Sequence, residues 1–198
     1  MCSPTLTSAA TIAAAPGLIS QLVPLLQPAI DAAKGDATDE ASGGLDQVLS
    51  HARCLIFDFD GAVRAPEGTP AAHINEALAA GRHSGRTTAV FARGPEANYW
   101  LHRHGLTDPA GPMFMLGDHD LVAGLAAFAD AAGISLENSA VITATAGTVE
   151  VARQNGLAAI GVAPTPDVRL ELASAGAATV LSSLADLTLG LRARPLPE

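Results

Sequence analysis

Cys54-Leu55-Ile56-Phe57-Asp58-Phe59-Asp60-Gly61-Ala62-Val63 is the stretch that decides the fold. Its first four residues form a continuous apolar run, as expected of a strand buried on both faces of a parallel sheet. The run stops at a carboxylate, and a second carboxylate follows two residues later, just before a glycine. A chain that turns at Gly61 brings both acids to the crevice at the strand's C-terminal tip.

Outward from this strand the chain alternates regularly. Further strands are predicted at 87–92, 113–116, 140–143, 158–162 and 178–181. Helices are predicted between them at 71–80, 94–103, 121–132, 148–155, 168–174 and 184–191. Gly81, Gly105, Gly133, Gly156 and Gly176 read as helix stops, and Asp118 or Asp120 as an N-cap. Strands alternating with helices imply a three-layer α/β fold with a mostly parallel sheet, whose sites lie at the C-terminal strand ends.

Residues 1–50 differ from this pattern. They are rich in Ala, Ser, Thr and Pro, and 34–44 reads as a polar linker. One short amphipathic helix over 18–33 is expected, either as part of a loose extension or as a docking element for a protein partner. The domain division is therefore an extension over 1–50 and a core over 51–198.

Composition bounds the rest. Of 198 residues, 48% are hydrophobic but only 4% aromatic, so the core must be built from Ala, Leu, Val and Ile. The net charge of −9, from 20 acids against 11 bases, argues against nucleic acid or an anionic membrane as partner. No apolar run approaches the ~18 residues that suggest a membrane span. The two cysteines, Cys2 and Cys54, do not form a disulfide framework, and a cytoplasmic location is expected.

The segment from Leu55 to Val63 resembles the first motif of the haloacid dehalogenase-like superfamily, Asp-x-Asp-Gly-Thr/Val, and the likeness extends through strand and helix spacing over 53–190. The resemblance implies a Rossmann-like α/β/α fold and a phosphatase-type hydrolase. Asp58 would be the nucleophile that becomes an aspartyl phosphate, and Asp60 the general acid and base. Mg²⁺ would be held by Asp58, by the backbone carbonyl of Asp60 and by acids of a later loop. The short gaps after Val63 and Gly94 imply that no cap domain is present.

Three further motifs of that superfamily are altered. Ala92 stands where a Ser or Thr should donate to phosphate. The single Lys of the chain, Lys34, lies in the extension, and Leu116-Gly117-Asp118-His119-Asp120 carries no Lys or Arg. In Thr143-Ala144-Thr145-Ala146-Gly147-Thr148, which is similar to Gly-Asp-Ser-x-x-Asp, the two acids are replaced by Ala144 and Thr148. Arg93 and the amides after Gly94 are the candidates to hold phosphate or another anion, and Asp118, His119 and Asp120 are candidates to approach the site from the third strand. His102 and His104 do not share a helix face, which excludes a metal pair there, and Tyr99 and Trp100 read as helix packing. Mg²⁺ binding is therefore expected to be weak or absent, and phosphomonoesterase activity weak or lost. The alternative is a non-catalytic binding or scaffold protein that docks a partner through residues 1–50.

Overall fold

The computed structural model describes residues 43–111, 113–115, 121–133 and 135–196. Six strands, β1 (Cys54–Asp58), β2 (Thr87–Ala92), β3 (Met113–Met115), β4 (Ser139–Thr143), β5 (Ala158–Val162) and β6 (Thr179–Leu181), form one sheet in the order β3-β2-β1-β4-β5-β6. Every neighbouring pair is parallel. The apolar run at 54–57 thus sits mid-sheet, where both faces and both edges are covered.

Side-chain alternation along β1 divides the core in two. Leu55 and Phe57 face one helical layer: α1 (43–51), α2 (Ile74–His83), α3 (Glu96–Arg103) and α8 (Leu184–Ala193). Cys54 and Ile56 face the other: α5 (Leu121–Ala132), α6 (Ala146–Gln154) and α7 (Pro166–Ser174). Short α4 (Thr107–Ala110) links α3 to β3. The expected three-layer fold is the observed one. Between β1 and β2 the chain holds only a π-helical turn, a tight antiparallel turn closed by the Arg64–Pro70 bridge, and α2. That leaves no room for a cap domain.

Some expected boundaries shift, each for a physical reason. Gly81 does not stop α2. It lies inside the helix, where an added Cβ would come within 2.8 Å of Thr88 Cγ2, and it lets α2 lie close to the sheet. The reversal falls instead at Gly85, with φ of 80°. Thr145 and Thr165 precede α6 and α7, which start two residues earlier than expected.

The expected division at residue 50/51 falls within a packed element. Residues 43–51 are helical, and Leu45, Val48 and Leu49 are buried in the same cluster as Leu55 and Leu187. The helix approaches α8 so closely that a Cβ on Gly190 would lie 2.7 Å from Leu45 Cδ2. Arg86 secures it. This buried guanidinium donates to Leu49 O at 2.7 Å, Ala52 O at 2.9 Å and Arg194 O at 2.8 Å, joining the ends of α1 and α8 to the start of β2. The helix expected over 18–33 and the caps Asp118 and Asp120 lie outside the described residues. Among the described residues, no helix is long and apolar enough to cross a membrane.

Candidate functional site

Strand order turns outward in both directions from β1, so the loops after β1 and β4 diverge and leave a crevice at their C-terminal ends. Asp58 closes β1 at this crevice. It has the same strand parity as Cys54 and Ile56, which points it toward α6 and away from α2. The residue is buried, 5% exposed.

What meets that carboxylate is a set of threonines. Oδ2 of Asp58 accepts from Thr143 Oγ1 at 2.8 Å, from Thr145 Oγ1 at 3.1 Å and from Thr148 Oγ1 at 3.1 Å. Thr143 ends β4, Thr145 is the residue before α6, and Thr148 lies in that helix's first turn. The Thr145 amide donates to Thr143 Oγ1 at 3.1 Å, and the two hydroxyls lie 2.9 Å apart. One carboxylate oxygen offers about two lone-pair sites, so three donors saturate Oδ2. The partial positive charge of the α6 N-terminus adds to this neutral cradle.

Gly61 closes the remaining side. A Cβ there would stand 2.6 Å from Asp58 Oδ2, 2.7 Å from Thr143 Oγ1 and 2.8 Å from Thr145 Oγ1. Only a glycine lets the backbone come this close. The turn that brings it in, Phe59–Val63, is π-helical and is closed by Arg64 N–H donating to Phe59 O at 2.8 Å.

That same turn carries Asp60 out of the crevice. Asp60 is exposed and forms an ion pair with Arg64, four residues on. The Arg64 guanidinium carbon also lies 4.9 Å from the Phe59 ring centroid. Phe59 in turn meets Trp100 edge-on at 5.3 Å, and Trp100 Nε1 donates to Gly68 O at 3.1 Å. His104 stacks on Trp100 at 4.2 Å. Trp100 is therefore packing, as expected, whereas Tyr99 is 71% exposed and packs little.

The remaining expected residues are placed as follows. Ala92 is buried at the end of β2. Arg93 is exposed, two positions past Phe91, the β2 partner of Asp58. Gly94 lies beneath the Glu96 carboxylate, whose Oε2 would be 2.2 Å from an added Cβ, so the start of α3 carries its own negative charge. Ala144 is exposed and offers no ligand. Asp118, His119 and Asp120 lie outside the described residues. Sequence reasoning missed Arg64, Thr143 and Thr145. The i, i+4 spacing of Asp60 and Arg64 was an available signal for the first.

Among the described residues, the donor set around Asp58 Oδ2 does not fit Mg²⁺. That ion takes octahedral oxygen ligands at about 2.0–2.1 Å with their lone pairs turned toward it. Here the Oδ2 lone pairs take hydroxyl protons, Asp60 is held by a cation, and the described residues contain no group of three His, Cys, Asp or Glu that could hold a metal ion. No buried side-chain polar atom among them lacks a partner.

No family model and no curated protein matches the sequence. Solved structures do match. A HAD family hydrolase from Deinococcus radiodurans R1, with bound phosphate and sodium, superimposes with a TM-score of 0.57 at 19% identity over 75% of this chain and 99% of that one. A putative HAD superfamily (subfamily III A) hydrolase from Legionella pneumophila gives 0.53 at 18% identity, covering 80% and 93%. The 3-deoxy-D-manno-octulosonate 8-phosphate phosphatase from Moraxella catarrhalis, in complex with magnesium, phosphate and KDO, gives 0.51 at 18%, covering 76% and 91%. With its central Asp58 strand, all-parallel sheet and two helical layers, this chain has the fold of the haloacid dehalogenase-like hydrolases.

Proposed function

We propose that this chain is a phosphatase-type hydrolase by descent in which phosphomonoester hydrolysis is weak or lost. The observation that carries this reading is the saturation of Asp58 Oδ2 by Thr143, Thr145 and Thr148. Three protons donated to one oxygen withdraw electron density from the whole carboxylate and weaken it as a nucleophile. Asp60, the acid and base of the resemblance, is engaged by Arg64 instead. Arg93 is the candidate cation for a phosphorylated substrate, and Glu96 opposes it at the neighbouring Gly94. Two anions meeting in a partly desolvated crevice without a metal repel strongly.

The same observation favours a second reading, a non-catalytic binding protein that uses this fold as a scaffold, for which the part of residues 1–50 that precedes helix 43–51 is the candidate docking element. The cysteine usage supports a reducing, cytoplasmic setting for either. The test is turnover of an aryl phosphate with Mg²⁺ by wild type and Asp58→Asn. Equal inertness of the two supports the reading. Robust Mg²⁺-dependent turnover that Asp58→Asn abolishes overturns it.

A further inference from the structure

We propose that Asp58 is a metal-independent clamp, whose Oδ2 ties β1 to β4 and to the first turn of α6 through three threonine hydroxyls and so has no lone pair left for a divalent cation. This deepens the reading above by giving the retained carboxylate a task other than phosphoryl transfer. Three observations meet in it. The three donors come from the end of β4, the residue before α6 and the first turn of α6, at the point where the strand-end loops diverge. They converge on one oxygen, within 2.8–3.1 Å. The fourth side is shut by the Gly61 backbone, which leaves no volume even for a methyl group.

A cation entering here would have to turn away three hydroxyl protons at once. It would gain one carboxylate oxygen and neutral hydroxyls in return, a poor set for Mg²⁺. The hydroxyls instead surround the carboxylate oxygen much as water would. Bonds of this kind, to a charged group, contribute more to stability than bonds between neutral groups. Removal of the carboxylate leaves Thr143 and Thr148 buried without their common acceptor.

The experiment reads stability and metal response rather than turnover, so its failure is separable from failure of the functional reading. Thermal unfolding of the full chain is followed in EDTA and in millimolar MgCl₂ for wild type, Asp58→Ala, Thr145→Val and the double variant Ala144→Asp/Thr148→Asp. The clamp predicts the same Tm for wild type in both buffers. It predicts a loss of roughly 5–10 °C for Asp58→Ala and about 2–4 °C for Thr145→Val, both independent of Mg²⁺. The double variant, with carboxylates at 144 and 148, loses stability in EDTA and regains it with Mg²⁺. Thr145 is exposed, so its variant decides the matter if Asp58→Ala does not fold. A wild-type Tm that rises with Mg²⁺, or Asp58→Ala and Thr145→Val variants as stable as wild type, overturns the proposal.

Discussion

The Thr148 hydroxyl donates to Oδ2 of Asp58 across 90 residues of chain, at 3.1 Å, with both side chains buried. Where the resemblance calls for a metal-binding acid, the chain carries a proton donor to the carboxylate that would be its fellow ligand. Thr148→Val keeps the shape and removes the donor. It is expected to lower stability by about 1.5–3 kcal/mol, the range for a hydrogen bond to a charged group. Urea unfolding checks this through a lower midpoint at an unchanged slope.

Gly61→Ala places a methyl group within 2.8 Å of three oxygens of the cradle. The side chains it meets are short and hydrogen-bonded, so they cannot swing aside. A loss of about 1–3 kcal/mol is expected, as for overpacking elsewhere. Gly147→Ala is the contrasting control: it lies in α6 with nothing within 4 Å of the added Cβ, and is expected to gain roughly 0.5–1 kcal/mol. Equal effects of the two changes in one unfolding series would contradict the close packing at Gly61.

Leu49 is fully buried against the core although it stands before the motif strand. Leu49→Ala is expected to cost about 2–5 kcal/mol, the range for a truncated core leucine. A near-neutral result by denaturant unfolding would return residues 43–51 to the extension.

Burial pushes the Cys54 thiol up to about 11, the hydrogen bond with Ser139 offsetting part of the effect. In a Cys2→Ser variant the remaining thiol should resist a thiolate-directed label at neutral pH and react fully once urea unfolds the chain. The sign for stability follows from linkage. The unfolded thiol ionises near 9.0 while the folded one keeps its proton to about 11. This contribution is therefore intact below pH 9 and is lost as pH rises from 9 toward 11. Cys54→Ala should flatten that part of the profile.

The sheet was largely legible in the sequence, because a strand buried on both faces must be written as an unbroken apolar run. Cys54–Phe57 and Ala158–Val162 could be read as such. Helix ends were less legible: Gly81 reads as a stop but serves close packing against Thr88, a tertiary cause with no local signature. Helix 43–51 was hidden because its apolar positions adjoin a Gly- and Ser-rich stretch, and Arg86, the residue that anchors it, lies 34 residues beyond Ala52. At the site, the position of Asp58 at the strand tip could be read from the apolar run that it ends, and the missing acids at 144 and 148 are what the resemblance implies. The convergence of Thr143, Thr145 and Thr148 on one oxygen could not, because it depends on β4 lying beside β1.

The measurement that bears most directly on the central claim is titration calorimetry of Mg²⁺ into the full chain with inorganic phosphate present. Wild type, Asp58→Asn and Ala144→Asp/Thr148→Asp are titrated side by side. The account predicts no saturable heat for wild type or Asp58→Asn, and a saturable one for the double variant, whose added acids restore oxygen ligands beside Asp58. A saturable, stoichiometric Mg²⁺ heat in wild type that Asp58→Asn removes would contradict it, since Asp58 would then hold a metal rather than three threonine hydroxyls.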